Sequence, residues 1–179
     1  IFDLSGVFKI EDDDYPMNFK LITKNFNIAP FSAIGENVLQ NFKGYFNSYI
    51  DVTGTFYKPI FEGYINAVDS SFDVPYLGLR YGFVDDPTFT LNNQTINIKD
   101  FTLNEKKSNT SGVMNGKISH NRLKDWFLDF KIESKNLIAL NTQSSENEYY
   151  YGTGFLNGSA YFIGPGKDLD IEINGTTQE

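Results

Sequence analysis

The chain contains no cysteine, one histidine, one tryptophan and two methionines in 179 residues. Without cysteine, thiol catalysis, thiolate zinc sites and disulfides are all excluded. That condition is compatible with the cytoplasm and also with a periplasm, where a sufficient core needs no covalent staples. Positive charge is scarce as well: the formal net charge is −8 and the pI about 4.6. Nucleic acid is a poor fit, because phosphate binding needs a basic stripe. Lys106, Lys107, Lys117, Arg122 and Lys124 lie scattered among polar residues. No apolar run approaches the ~20 residues of a spanning helix. There is no initiator Met and no signal segment, and the chain opens on a strand-like run, so it reads as a piece of a longer protein.

Aromatic residues are plentiful, with 17 Phe and 11 Tyr, a bias that suits a pleated surface. Period-two alternation recurs almost throughout. Phe2, Leu4, Gly6, Phe8 and Ile10 share one phase, with Asp3, Ser5 and Lys9 in the other. Further alternating runs follow from Met17, at Ile50–Phe56, Phe61–Ala67, Leu77–Phe83, Phe89–Leu91, Ile96–Ile98 and Gly112–His120. The clearest is Trp126, Leu128, Phe130 and Ile132, and shorter strands near 137–140, 149–155, 159–164 and 168–174 complete the series. Lys58-Pro59 breaks one pair of strands, and Asn92-Asn93 marks a tight hairpin. Residues 31–44 carry Ile34, Val38, Leu39 and Phe42 near helical spacing, with Gly44 as a stop, and predict the one helix. About a dozen strands in one unit, 1–179, make the fold class all-β.

Candidate chemistry is thin. His120 has no nucleophile motif around it. The acidic run at residues 11–14 lacks the spaced ligand pattern of a calcium loop and reads as a turn. Asp85-Asp86-Pro87 reads the same way, since adjacent strand residues face opposite sides. Gly152-Thr153-Gly154 and Gly158 depart from phosphate-loop spacing. Four Asn-x-Ser/Thr sequons, at Asn93, Asn109, Asn157 and Asn174, are expected by chance in so Asn-rich a chain. The expectation is a non-enzyme without metal or cofactor. Gly6, Gly54 and Gly63 fall in the apolar phase, where they mark a bend or a close approach, or leave room for a ligand.

Two stretches are more specific. Residues 50–65, Ile-Asp-Val-Thr-Gly-Thr-Phe-Tyr-Lys-Pro-Ile-Phe-Glu-Gly-Tyr-Ile, carry an apolar–x–Gly–Thr, x-Pro, x-x-Gly unit. Asn115-Gly116-Lys117-Ile118-Ser119-His120 leads into Trp126–Ile132, Leu137, Asn141-Thr142, Tyr150-Tyr151-Gly152, Gly158 and Ile163-Gly164-Pro165. Together they resemble the C-terminal region of the TamB (translocation and assembly module, AsmA-like) family in its Bacteroidetes form, well over 50–179 and weakly over 1–49. The resemblance implies a U-shaped, taco-like sheet with an apolar interior that conducts phospholipid acyl chains across the periplasm. It further implies an inner-membrane anchor outside this segment and an outer-membrane Omp85-type barrel of the TamA or BamA kind as partner, with a role in outer-membrane protein assembly and secretion.

The in-phase residues Leu79, Tyr81, Ile96, Ile98, Leu128, Phe130 and Ile132 are the expected trough lining. Alternatives from other classes are a chaperone-like scaffold that pairs strand edges with client strands by β-augmentation, and a β-sandwich binding module.

Overall fold

A computed structural model describes residues 1–10, 16–30, 39–145, 151–165 and 168–176. Eleven strands form one antiparallel sheet: β1 (Phe2–Phe8), β2 (Met17–Asn27), β3 (Gln40–Gly54), β4 (Pro59–Val74), β5 (Leu79–Phe83), β6 (Thr88–Asn93), β7 (Thr95–Glu105), β8 (Thr110–Asn121), β9 (Lys124–Thr142), β10 (Gly152–Pro165) and β11 (Asp170–Thr176). Each strand pairs with its sequence neighbours, except at one fork. There the first half of β4 pairs with β6 and its last residues with β5, and both short strands then pair with β7. A 3₁₀ turn, Pro75–Leu77, precedes β5.

The strand readings hold with local corrections. Leu77 belongs to the 3₁₀ turn, so the run expected from Leu77 becomes a strand only at Leu79, and the turn expected at Asn92-Asn93 centres on Asn93-Gln94, because Asn92 pairs with Thr95. Residues 40–44 of the expected helix are the start of β3, because Gln40, Phe42, Gly44 and Phe46 continue the strand's alternation; residues 31–38 lie outside the described set, as does the acidic run at 11–14. The separate strands expected at 126–132 and 137–140 are one, β9. Those expected at 149–155 and 159–164 merge into β10, with residues 149–150 outside the described set. Register shifts at Gly154/Phe155 and Leu156/Gly158 absorb the break in phase that made them look like two. The Asp85-Asp86 turn is present: both residues have left-handed φ, and Asp86 accepts a hydrogen bond from the Asp69 N–H at 2.9 Å. Gly152, Gly154 and Gly158 lie inside β10.

The hydrophobic core gathers at one end of the sheet. Leu79 and Tyr81 from β5, Ile98, Phe101 and Leu103 from β7, Met114 from β8, and Leu137 and Ile138 from β9 are all buried against one another. The Tyr81 hydroxyl donates to the Ile138 carbonyl at 2.6 Å. In sheet order β7 and β8 lie between those strands, so the sheet rolls inward here and fills its own apolar side. Burial raises the Tyr81 pKa, with the Glu105 charge adding to it, and keeps the phenol a proton donor.

Candidate functional site

The pairing registers connect the apolar phase of nine strands into one unbroken row: Leu4, Leu21, Ile50, Gly63, Leu91, Ile96, Ile118, Leu128 and Gly164, each opposite the next. One position along, the opposite phase reads Ser5, Lys20, Asp51, Glu62, Asn92, Thr95, Ser119 and Phe127. One face is therefore apolar across the sheet; the other is polar in this row as far as Phe127, which pairs with Pro165, and mixed in the next, where Asp3, Ile22, Tyr49, Tyr64, Thr90, Asn97, Lys117, Asp129 and Ile163 stand opposite one another. The apolar face has a polar interruption where Thr23 and Ser48 sit opposite each other, and their hydroxyls satisfy one another at 2.8 Å.

Coverage of the apolar face is uneven. Of the seven expected lining residues, Leu79, Tyr81 and Ile98 are members of the buried core cluster, and Phe130 and Ile132 pack against it half-buried. Ile96 and Leu128 are half-buried in the central row, each opposite Ile118. At the two sheet edges the apolar phase lies open, with Leu4 58 % and Ile173 64 % exposed. Leu91, Ile118 and Phe61 complete this surface and were not singled out from sequence. Gly116 interrupts the β8 alternation and weakens its signal, yet Met114, Gly116 and Ile118 do share the phase.

The in-phase glycines have a structural role. Gly63 and Gly116 have φ of +142° and +148°. A Cβ would lie 2.0 Å from the Tyr49 carbonyl oxygen at Gly63, and 2.3 Å from that of Asp129 at Gly116. Neighbouring backbone fills the space, so close strand approach and bending account for them, rather than room for a ligand.

The end of the sheet away from the core is formed by the hairpins β1–β2, β3–β4, β6–β7, β8–β9 and β10–β11. There His120 packs between Phe61, centroids 5.6 Å apart, and Trp126, 4.8 Å apart. Its Nδ1 accepts from the Leu123 N–H at 3.1 Å. Burial holds the imidazole below its ordinary pKa, so its neutral form is favoured. With an acceptor nitrogen committed to the turn and the Phe61 and Trp126 rings packed against it, His120 braces a hairpin; among the described residues no hydroxyl is hydrogen-bonded to it as a nucleophile would be.

At the opposite end, buried Glu105 accepts from the Ser108 N–H at 2.7 Å and from its hydroxyl at 2.8 Å. Burial alone would raise its pKa, but these bonds and the Lys107 backbone outweigh that and leave it lowered. A shallow, open depression over β8–β10 is lined by Asp100, Asn115, Glu133, Ser134 and Ser159, on the polar side. Among the described residues no cluster of His, Asp or Glu is arranged to hold a metal ion, and no helix is long and apolar enough to cross a membrane.

Compared with protein-family profiles, curated protein sequences and solved structures, the chain matches none.

Proposed function

We propose that this chain is a segment of a TamB-like periplasmic bridge whose apolar face conducts phospholipid acyl chains between membranes. The nine-strand apolar row carries this reading. An acyl chain in water costs about 0.8 kcal/mol per CH₂, so a passage needs apolar surface without a gap, and no polar recognition geometry. The row from Leu4 to Gly164 offers that surface, and its polar counterpart keeps the other face wetted.

Burial divides the lining. Leu79, Tyr81 and Ile98 contact one another as core and support the sheet. Ile96, Leu128, Phe130 and Ile132, with Leu91 and Ile118, meet the chains. An Omp85-type barrel of the TamA or BamA kind is the proposed partner and outer-membrane protein assembly the proposed consequence, both resting on the sequence resemblance.

A photo-crosslinking residue at Leu128, and separately at Asp129 on the opposite face, tests the conduit in the protein expressed in its envelope. Lipid adducts at Leu128 and none at Asp129 are expected. Protein adducts at both sites, or lipid delivery that persists with a folded Leu128→Arg protein, would overturn it.

The scaffold reading draws on a separate observation: every residue of edge strands β1 and β11 is exposed. Free edges accept another strand. Client crosslinks confined to β1 or β11 would favour it.

A further inference from the structure

Two hairpin tips carry exposed apolar residues at their apices, and one of them holds its residues in a geometry they do not favour. The β3–β4 tip is a tight turn closed by the Lys58 N–H to the Thr55 carbonyl at 3.1 Å and the Thr55 N–H to the Lys58 carbonyl at 3.2 Å. Its two central residues are Phe56 and Tyr57, 69 % and 78 % exposed. Gly, Pro, Asn, Asp and Ser dominate such apices for reasons of backbone geometry and hydrogen bonding. The β8–β9 tip pairs Asn121 with Lys124 across Arg122 and Leu123, whose φ values are +54° and +58°. Two consecutive left-handed residues call for Asn-Gly; here an Arg and a 57 %-exposed Leu are held in that strained form. The Arg122 N–H donates to the Gln94 side chain at 2.6 Å, and the Leu123 N–H to His120. These bonds and the His120–Trp126 packing fix the strained apex.

Both tips lie at the same end of the sheet. The short β6–β7 turn separates them, and the Phe61–His120 contact bridges behind it. Phe8 packs on Phe56 at 5.2 Å and adds to the same side. Each apolar apex is flanked by cations: Lys58 beside Tyr57, Arg122 and Lys124 around Leu123.

We propose that this hairpin end is a membrane-docking surface, with Phe56, Tyr57 and Leu123 inserting into the phospholipid interface while Lys58, Arg122 and Lys124 reach headgroup phosphates. Aromatic rings with a polar edge favour the interfacial depth, and long cationic side chains extend from it to the phosphates. A protein partner fits less well. Separate wedges on either side of a short polar turn present no continuous patch, and three or four side chains fall short of the ~800 Å² per partner of a specific interface. A fluid lipid surface accommodates separate wedges. The chain as a whole carries a net charge of −8, so long-range attraction to anionic lipid is not the driving force. Apolar insertion drives the docking, and salt does not weaken it strongly. The site is independent of the acyl-chain conduit, although the half-buried Ile96–Ile118–Leu128 stretch lies on the hairpin side of the core.

The test is flotation of the chain with phosphatidylcholine vesicles, with and without phosphatidylglycerol. It compares the native sequence with a Phe56→Asn, Tyr57→Gly, Leu123→Gly variant. Leu123→Gly relieves a left-handed φ, whereas Phe56→Asn gives up the Phe8 contact, so flotation is compared only after circular dichroism and thermal melts show the variant folded. Native flotation that survives salt, and an apparent affinity lower by about tenfold or more in the variant, are expected. No native flotation, equal flotation of the variant, or binding that needs phosphatidylglycerol and disappears in salt would overturn the proposal. Crosslinking at Leu128 in the same variant separates docking from the conduit, since adducts to added short-chain lipid persist if the two sites are distinct.

Discussion

The Tyr81 hydroxyl reaches the Ile138 carbonyl at 2.6 Å although two strands separate β5 from β9 in the sheet. That bond fastens the inward roll that encloses the core. Tyr81→Phe keeps the ring and removes the donor, leaving a buried carbonyl short of a partner. The expected loss is about 1–3 kcal/mol, read as a lower urea midpoint with an unchanged slope.

A second fastening lies at the same end. The Ile138 N–H donates to Thr110 Oγ1 at 3.0 Å, Thr110 and Ser108 share a hydroxyl bond of 2.9 Å, and Ser108 donates to Glu105. Thr110→Val keeps the shape but breaks this relay, with an expected cost of about 1–3 kcal/mol in denaturant melts.

Glu105 makes the same network pH-dependent. Its folded pKa lies below the unfolded 4.5, so its contribution is complete above pH 4.5 and is lost as pH falls through the folded value. Glu105→Gln is expected to flatten the urea midpoint against pH across that acid window. An equally steep profile in the variant would assign the dependence elsewhere.

His120 is expected to titrate below 6.5, a midpoint that proton NMR reads directly because the chain has one histidine. Protonating Nδ1 removes the acceptor for Leu123 N–H. The folded pKa is depressed, so the stabilisation is present above pH 6.5 and fades as pH falls through the folded value. His120→Phe keeps a ring between Phe61 and Trp126 and should abolish that slope.

Gly116→Ala is expected to cost at least about 2 kcal/mol, since a side chain would be forced into a left-handed φ and against backbone. Gly154→Ala is the control: its Cβ would stand 3.6 Å from Leu140 Cβ, an ordinary contact. Thermal melts should separate the two clearly.

Much of the sheet was legible because alternation is a local property. The phase of Leu4, Ile50 or Leu128 follows from its immediate neighbours, and the central row confirms that these phases share a face. Residues 40–44 misread as helix because apolar residues three and four apart also fit a strand when Phe42 and Gly44 keep its phase. Register is set between strands, so Ile118 as the link from Ile96 to Leu128 was not legible. Tyr81 meets Ile138 across 57 positions of chain, a closure that no window of sequence contains. That is why Leu79, Tyr81 and Ile98 read as the same kind of surface residue as Leu128, when the roll in fact buries them. The Phe56-Tyr57 and Arg122-Leu123 apices were visible as residues but not as turn centres, because their meaning depends on knowing where the hairpins close.

The fork at β4 has a consequence in time. Apart from β4–β6 and β5–β7, which skip β5 and β6, the pairings join neighbours in sequence, so those hairpins close short loops at little entropic cost and can form independently. The β5–β7 pairing is different, for it spans β6 and forms only two bridges, Gly82 with Asn104 and Phe83 with Leu103. It depends on the β6–β7 hairpin already being docked against β4. The roll that brings Tyr81 to Ile138 depends on it in turn. Assembly of this protein therefore runs from hairpins to seam to enclosed core, and the amides of Gly82 and Phe83 should gain protection from exchange after those of β3 and β9.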